Sequence, residues 1–362
     1  MGSGYLILAD GQVFEGQRFG AQPGFLCGEL VFTTGMTGYL QTLTDPSHYG
    51  QMVIQTFPMI GNYGVIPDEF ESERPHLSAY IVHEVCEAPS NFRSEGRLDE
   101  WLESQGVPGL LGVDTRRLTR IVREEGVMNA ALSATPTLSE AQWQALRGYA
   151  IGGAVEAVTC KQSHTVGEGP LRVVLYDFGV KANIRGKLAR RGCQVVTVPA
   201  STPADEVLAL RPQGIVFSNG PGDPAENAGI IRQIRTLFDS GVPLMGICLG
   251  HQLMALAHGA RTRKMKYGHR GANQPAQHLE TGRVYITSQN HGYCVVGDSL
   301  PDGVRPMFVN ANDGTNEGLI YSRFPGFSVQ FHPEAHAGPQ DTGFLFDRFV
   351  SMMQEVNAYA AG

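Results

Sequence analysis

The sequence lacks long apolar runs and an excess of positive charge, and each absence excludes a class of protein. No apolar run approaches the roughly 18 residues that a membrane-spanning helix needs. The first residues lack the basic segment and apolar core of a secretory signal. The net charge of −7 argues against a general affinity for nucleic acid or anionic membranes, because both require a positive field. We therefore expect a cytoplasmic protein with neither nucleic acid nor membrane as a partner.

Closely spaced cysteine pairs are also missing. The chain has six cysteines, and no two of them form a C-x-x-C motif. Wide spacing is typical neither of a disulfide framework nor of a zinc site. We therefore expect reduced thiols and no bound metal. The cysteines are at positions 27, 86, 160, 193, 248 and 294.

The length of the chain and the change in its sequence pattern near residue 150 predict two domains. Residues 1–150 form the first, a mixed β/α domain that is rich in predicted strands, with a hairpin around Asp10-Gly11. A helix within it is capped by Asp114 and ended by Gly126. Residues 151–170 lose periodicity and gain glycine, which indicates a linker.

Residues 171–362 alternate short apolar strands with amphipathic helices. This alternation is typical of an α/β fold with a doubly wound, mostly parallel sheet and helices on both faces. Hairpin-like segments and a closing apolar helix follow at the carboxyl end. Open sheets of this class bind ligands beyond the carboxyl ends of their strands. We therefore expect the functional residues at those strand ends.

The segment GICLG, at residues 246–250, places a cysteine between two glycines where a strand passes into a helix. It has the G-x-nucleophile-x-G form of a nucleophile elbow, with Cys248 as the nucleophile. The positive end of the helix dipole favours a thiolate at this position. The alternative is that Cys248 is a small core residue at the end of a buried strand.

A base for this nucleophile is offered by FSVQFHPEA, in which His332 follows an alternating strand. Pro333 keeps His332 extended, so the side chain of Glu334 points the same way and can orient the imidazole. Cysteine, histidine and glutamate then form a nucleophile, base and orienter. The alternative is a surface turn.

Donors for an oxyanion can come from the Leu249 backbone N–H and from SNGPGDP, where Gly220 and Gly222 permit close approach of the main chain. A tight surface turn is the alternative for that loop.

Pro221 and Pro224 argue against a dinucleotide site in the same loop. The segment GVKANIRGKL has the wrong glycine spacing for a phosphate loop, so we expect no cofactor in this chain.

Three segments together resemble the class I glutamine amidotransferase domain, namely GICLGHQLMALA, SNGPGDP and FHPEA. Three further segments are similar to the small subunit of carbamoyl-phosphate synthase. They are TGMTGYLQTLTDPSHYGQMVIQTFPMIGNYG, GVDTRRLTRIVREEG and LYDFGVKANI. The resemblance implies that Cys248 attacks glutamine to form a thioester, while His332, oriented by Glu334, protonates the departing nitrogen to release ammonia and then activates water. It also implies the glutamine contacts Ser47, Gly220, Gly222, Leu249, Gln252, Asn290, Gly292 and Tyr293.

The resemblance further implies a partner, the carbamoyl-phosphate synthase large subunit. That subunit is expected to hold ATP and magnesium and to combine bicarbonate with the delivered ammonia, for arginine and pyrimidine synthesis. Residues 1–150 resemble the part that docks on it. Ammonia released into neutral water would be protonated and lose its nucleophilic lone pair, so it is expected to pass through protein.

Two other functions stay open at this stage. One is a stand-alone cysteine hydrolase or peptidase on the same fold, which leaves the first domain without a purpose. The other is a binding subunit with a vestigial site. The presence of Cys248, His332 and Glu334 together argues against this second function.

Overall fold

A computed structural model describes residues 2–361, and the side chains of the last helix up to residue 359. It divides into two compact units, Met1–Gly152 and Gly153–Gly362. The predicted linker, 151–170, does not stay irregular: a helix and a strand form inside it, and both belong to the second unit. The reason is that Val155 is buried in the core of that unit, and residues 164–166 pair with the edge of its sheet.

The first unit is built on a closed barrel of seven strands in the order β1-β2-β8-β6-β4-β3-β9. The remaining two short strands, β5 and β7, pair with each other. One hydrophobic cluster of the unit includes helix α3, and a second includes α1 and α2. The strands are β1 (Ser3–Leu8), β2 (Val13–Gly20), β3 (Phe25–Thr33), β4 (Gln51–Gln55), β5 (Met59–Ile60), β6 (Ala79–Ile81), β7 (Glu84–Val85), β8 (Pro108–Leu111) and β9 (Met128–Ser133). The helices are α1 (Tyr39–Leu43), α2 (Leu98–Ser104), α3 (Thr115–Glu125) and α4 (Glu140–Arg147).

Local predictions for this unit are confirmed. Strands β1 and β2 form an antiparallel hairpin, and Gly11 in its turn has a φ of 95°. The Asp114 side chain accepts a hydrogen bond of 2.9 Å from the backbone N–H of Arg117 at the start of α3. The helix ends at Gly126, whose φ is 100°. The barrel closure was not predicted, because it depends on pairing between strands that lie far apart in the chain.

The second unit contains ten strands in one sheet, in the order β10-β12-β11-β13-β14-β19-β18-β17-β15-β16. Its strands are β10 (His164–Val166), β11 (Leu171–Asp177), β12 (Cys193–Pro199), β13 (Gly214–Phe217), β14 (Leu244–Ile247), β15 (Thr262–His278), β16 (Val284–Val295), β17 (Val304–Asn310), β18 (Asn316–Tyr321) and β19 (Gly326–Val329). Its helices are α5 (Ala154–Val158), α6 (Ala182–Ala189), α7 (Ala204–Ala209), α8 (Ala228–Leu237), α9 (Leu249–His258) and α10 (Phe344–Ala361).

Five strands of this sheet, β12, β11, β13, β14 and β19, run parallel and carry the predicted strand and helix alternation. Helices cover both faces, since α7, α8 and α9 contribute to one hydrophobic cluster and α6 and α10 to the other. Along β11, Val174 and Tyr176 belong to the first cluster, and Val173 and Leu175 to the second. The doubly wound α/β class is thereby confirmed.

An antiparallel extension widens the sheet beyond β19 through β18, β17, β15 and β16. It corresponds to the hairpin-like segments of the sequence. Strand β14 is consequently central and β19 lies beside it, so the two strand ends that carry the predicted nucleophile and base are neighbours. Among residues 2–361, no helix is both long and apolar enough to cross a membrane.

Candidate active site

Cys248 occupies a strained turn between β14 and α9. Its φ is 54° and its ψ is −104°, and within the described chain only Arg211 is another non-glycine residue with positive φ. Its backbone N–H donates to the Val329 carbonyl at 2.9 Å, which ties the turn to β19. Strain of this kind costs about 1–3 kcal/mol and persists only where the surrounding structure enforces it.

The glycines on either side of this turn allow α9 to pack closely on the sheet. A Cβ atom on Gly250 would lie 2.1 Å from the backbone oxygen of Phe217, and one on Gly246 would lie 2.7 Å from the sulfur of Met254. Neither position has room for a side chain. Glycine is therefore required on both sides of the turn, as in the G-x-nucleophile-x-G form.

His332 lies three residues beyond the end of β19 and is held by Glu334. The imidazole Nδ1 is 2.7 Å from Glu334 Oε1, which agrees with the side-chain direction predicted for residues two apart. The His332 backbone N–H donates to the Ser288 carbonyl at 2.9 Å, so β16 fixes this extended segment from the other side. Both side chains are buried.

Lys181 completes this group and was missed by the sequence analysis. Its ammonium nitrogen is 3.0 Å from Glu334 Oε1 and 3.4 Å from His332 Nδ1. Lys181 is the residue before α6, and it is buried. A single lysine ahead of a helix carries no recognisable pattern, and it lies 151 positions from His332 in the chain. Only the tertiary structure brings the two together.

The charges of this group determine its protonation. Burial and the Lys181 ammonium both act to lower the pKa of His332, but Glu334 and Cys248 outweigh them and raise that pKa to about 10. Burial acts to raise the pKa of Glu334, but Lys181 and His332 outweigh it and lower that pKa to about 2. At neutral pH the imidazole is therefore protonated and the carboxylate is charged.

The second imidazole nitrogen of His332 is available for proton transfer. Nδ1 faces Glu334, whereas Nε2 is buried and has no hydrogen-bond partner among the described residues. Cys248 is close enough to contribute to the raised pKa of the ring. The predicted nucleophile, base and orienting carboxylate thus lie together at the carboxyl ends of β14 and β19.

Several predicted glutamine contacts lie around Cys248. Its Sγ is 3.7 Å from the backbone oxygen of Asn290, on β16. A Cβ on Gly220 would lie 2.1 Å from the Phe178 oxygen and 2.8 Å from Leu249, so Gly220 and Leu249 are adjacent. Gly222 follows in the same loop, with a φ of 86°.

The other predicted contacts divide between the two units. Gln252 donates from Nε2 to the Tyr293 carbonyl at 2.8 Å, which joins α9 to β16. Gly292 lies between Asn290 and Tyr293 on that strand. Ser47 belongs to the first unit, where the Asp45 side chain accepts from its backbone N–H at 2.9 Å. The role of each as a substrate contact stays a prediction.

One cluster offers atoms that could ligate a metal. His269, His291 and Glu317 are buried, and one potential ligand atom of each lies within 4.8 Å of the others. The Gln289 amide spans the cluster, since its Nε2 is 3.0 Å from Glu317 Oε2 and its Oε1 is 2.9 Å from His291 Nε2. Because the Gln289 amide already engages Glu317 and His291, we interpret the cluster as a polar network that links β15, β16 and β18.

Comparisons with known proteins agree with this arrangement. Residues 6–132 match the family model of the carbamoyl-phosphate synthase small chain, CPSase domain, and residues 174–352 match that of glutamine amidotransferase class-I. The carbamoyl phosphate synthase small chain of Symbiobacterium thermophilum is 47% identical over 355 residues, covering 96% of this chain and 97% of the relative. That of Bacillus caldolyticus is 48% identical over 358 residues, covering 97% of each. The chain therefore belongs to the carbamoyl phosphate synthase small chain family and carries a class I glutamine amidotransferase domain.

Proposed function

We propose that this chain hydrolyses glutamine to glutamate and ammonia at Cys248 and delivers the ammonia to a large synthetase subunit. The observation that carries the proposal is the meeting of three groups: a cysteine on a strained turn, an imidazole with a buried and unpartnered Nε2, and a carboxylate on its Nδ1. Membership of the small chain family supports glutamine as the substrate.

In the first half of the reaction, the Cys248 sulfur attacks the side-chain amide carbon of glutamine. A carbon–sulfur bond forms, the carbonyl oxygen takes up negative charge, and the backbone N–H groups of Leu249 and Gly220 are the proposed donors to it. When the carbonyl re-forms, the carbon–nitrogen bond breaks. His332 transfers the proton on Nε2 to the departing nitrogen, which leaves as ammonia.

In the second half, water attacks the glutamyl thioester. His332, now neutral at Nε2, accepts a proton from the water, and the Cys248 sulfur departs with glutamate as the product. The carboxylate of Glu334 holds Nδ1 throughout, so the ring keeps Nε2 directed at the reacting atoms. The sum is glutamine plus water giving glutamate plus ammonia.

The destination of the ammonia is the remaining part of the proposal. A large subunit that binds ATP and magnesium would combine it with bicarbonate to make carbamoyl phosphate for arginine and pyrimidine synthesis. Residues 1–150 are the proposed docking domain for that subunit. A cytoplasmic location stays a prediction.

The test is carbamoyl phosphate synthesis by the holoenzyme, reconstituted from this chain and the large subunit that co-purifies with it. Cys248→Ser should abolish synthesis from glutamine and leave synthesis from added ammonium intact. Cys193→Ser is a matched control, because Cys193 is a buried free cysteine of the same unit on β12. It should retain both activities.

Three results would contradict the proposal. Loss of synthesis from both nitrogen donors in Cys248→Ser would remove the assigned role of this cysteine. A robust peptidase activity without the large subunit would favour a stand-alone hydrolase. Failure of a glutamine-like electrophile to alkylate Cys248 would favour a vestigial binding site.

A further inference from the structure

Gln330 is a buried side chain that takes no part in the proposed reaction. It follows β19, two residues before His332, and it is fully buried. Its Oε1 accepts a hydrogen bond of 2.9 Å from Nε2 of Gln252. Its own Nε2 has no hydrogen-bond partner among the residues that the structure describes. An unsatisfied buried donor of this kind is unfavourable, so its retention calls for a physical explanation.

The hydrogen bonds fix the orientation of both amides. The Tyr293 carbonyl can only accept, so the nitrogen of Gln252 must face it, at 2.8 Å. The same nitrogen faces Gln330 at 2.9 Å, so Gln330 must present its oxygen there. Rotating the Gln330 amide would place its nitrogen against the nitrogen of Gln252, and two donors that face each other form no hydrogen bond. The unsatisfied donor is therefore the consequence of supplying an acceptor to Gln252.

The chain of bonds determines which atom Gln252 can offer to a ligand. Both hydrogens on its Nε2 are engaged, one by Tyr293 and one by Gln330. The Oε1 atom of Gln252 makes no hydrogen bond to the described residues and is left to accept one from a ligand. Gln252 lies four residues after Cys248 on α9, which is about one helical turn, or roughly 5.4 Å, from the nucleophile.

We propose that Gln330 is a positioning residue for glutamine binding, which holds the Gln252 amide with its oxygen turned toward the substrate. This inference rests on the proposed function, with Gln252 as a glutamine contact. Gln330 also connects the three elements that carry the site, because it follows the strand of His332, bonds to the helix of Cys248, and through Gln252 reaches β16. It does not touch the reacting atoms itself.

The experiment measures kcat and KM for glutamine in the holoenzyme carrying Gln330→Met, an apolar residue of similar size. We expect KM to rise about three- to tenfold, the equivalent of one lost hydrogen bond. Because the lost contact serves substrate and transition state alike, kcat should stay within about twofold of its original value. Synthesis from ammonium should be unchanged.

Two further variants separate positioning from simple packing. Gln330→Glu keeps an oxygen that accepts from Gln252 and should restore KM to near its original value. Thr197→Val on β12 also removes a buried polar atom that has no partner, but it lies three strands from β14, so KM should not change. Gln330→Leu replaces the methionine variant if that one does not fold.

The results are decisive in either direction. A KM for Gln330→Met equal to that of the unmodified holoenzyme would overturn the proposal, and so would an equal rise in Gln330→Glu. A further rise in KM when Gln330→Met is added to Gln252→Met would also overturn it, because the effect would then not pass through Gln252. An unmodified holoenzyme that consumes no glutamine would instead overturn the proposed function, and this inference with it.

Discussion

Replacing Glu334 with glutamine tests the electrostatics of the candidate site most directly. The substitution keeps the shape of the side chain and an acceptor oxygen near His332 Nδ1, but it removes the negative charge. The imidazolium then lies 3.4 Å from the Lys181 ammonium, and its neutralising carboxylate is gone. Burial and Lys181 both lower the pKa of His332, and in Glu334→Gln only the contact with Cys248 still raises it, so that pKa should fall from about 10 toward its ordinary value of 6.5.

The effect on stability follows from the same charges. Breaking a buried ion pair by removing one partner costs about 3–5 kcal/mol in the free energy of unfolding. His332 has its pKa raised by folding, so its contribution is fully present below pH 6.5 and is lost as the pH rises toward 10. Glu334 has its pKa lowered by folding, so its contribution is present above pH 4.5 and is lost as the pH falls toward 2. Both contributions are complete only between pH 4.5 and 6.5.

Two measurements check this reasoning. The first is the pKa of His332 by NMR on histidine-labelled protein, with the signal assigned through its absence in His332→Asn. The second is urea unfolding between pH 5 and 10, where the variant should be less stable and should lack the decline above pH 6.5. Lys181→Met combined with Glu334→Gln should be more stable than Glu334→Gln alone, because the uncompensated charge is removed.

Exposed ion pairs provide the control. Arg323 and Asp239 are 3.0 Å apart, and their side chains are 63% and 72% exposed. Asp239→Asn should therefore change the free energy of unfolding by less than about 1 kcal/mol. The reasoning would be refuted if His332 still titrated above pH 8 in Glu334→Gln, or if that variant unfolded at the same urea concentration as the original protein.

Two further predictions concern the turn that carries the nucleophile. Cys248→Gly should be more stable than Cys248→Ala, because glycine adopts a positive φ without strain. This order is the reverse of that in an ordinary strand. Urea unfolding of the two variants measures the difference, and the opposite order would show that the turn stores no strain. Gly250→Ala should lose at least about 2 kcal/mol of stability, because its Cβ would lie 2.1 Å from the Phe217 oxygen. At Gly229 on α8 an added Cβ would meet only the Arg232 guanidinium, at 4.0 Å, so Gly229→Ala should stabilise the protein by about 0.5–1 kcal/mol. Equal effects in the two variants would contradict the packing argument.

Features set by a few consecutive residues were predictable from the sequence. The turn at Cys248 follows from two glycines at fixed spacing, and the contact of Glu334 with His332 follows from an extended segment in which residues two apart point the same way. The cap of α3 at Asp114 is equally local. In each case the interacting groups are separated by at most a few residues, so the chain itself limits where they can lie.

Other features depend on which distant segments pack together, and only the tertiary structure decided them. Strand pairing across the whole first unit closes its barrel. In the second unit, long-range packing brings Asn290 on β16 beside Cys248, although β16 lies five strands from β14 in the sheet. Lys181 reaches Glu334, and Gln330 reaches Gln252, across separations at which local patterns carry no information. Spacing and periodicity therefore predicted the turn at Cys248 and the contact between His332 and Glu334, whereas the positions of Lys181 and Gln330 beside them were set by long-range packing.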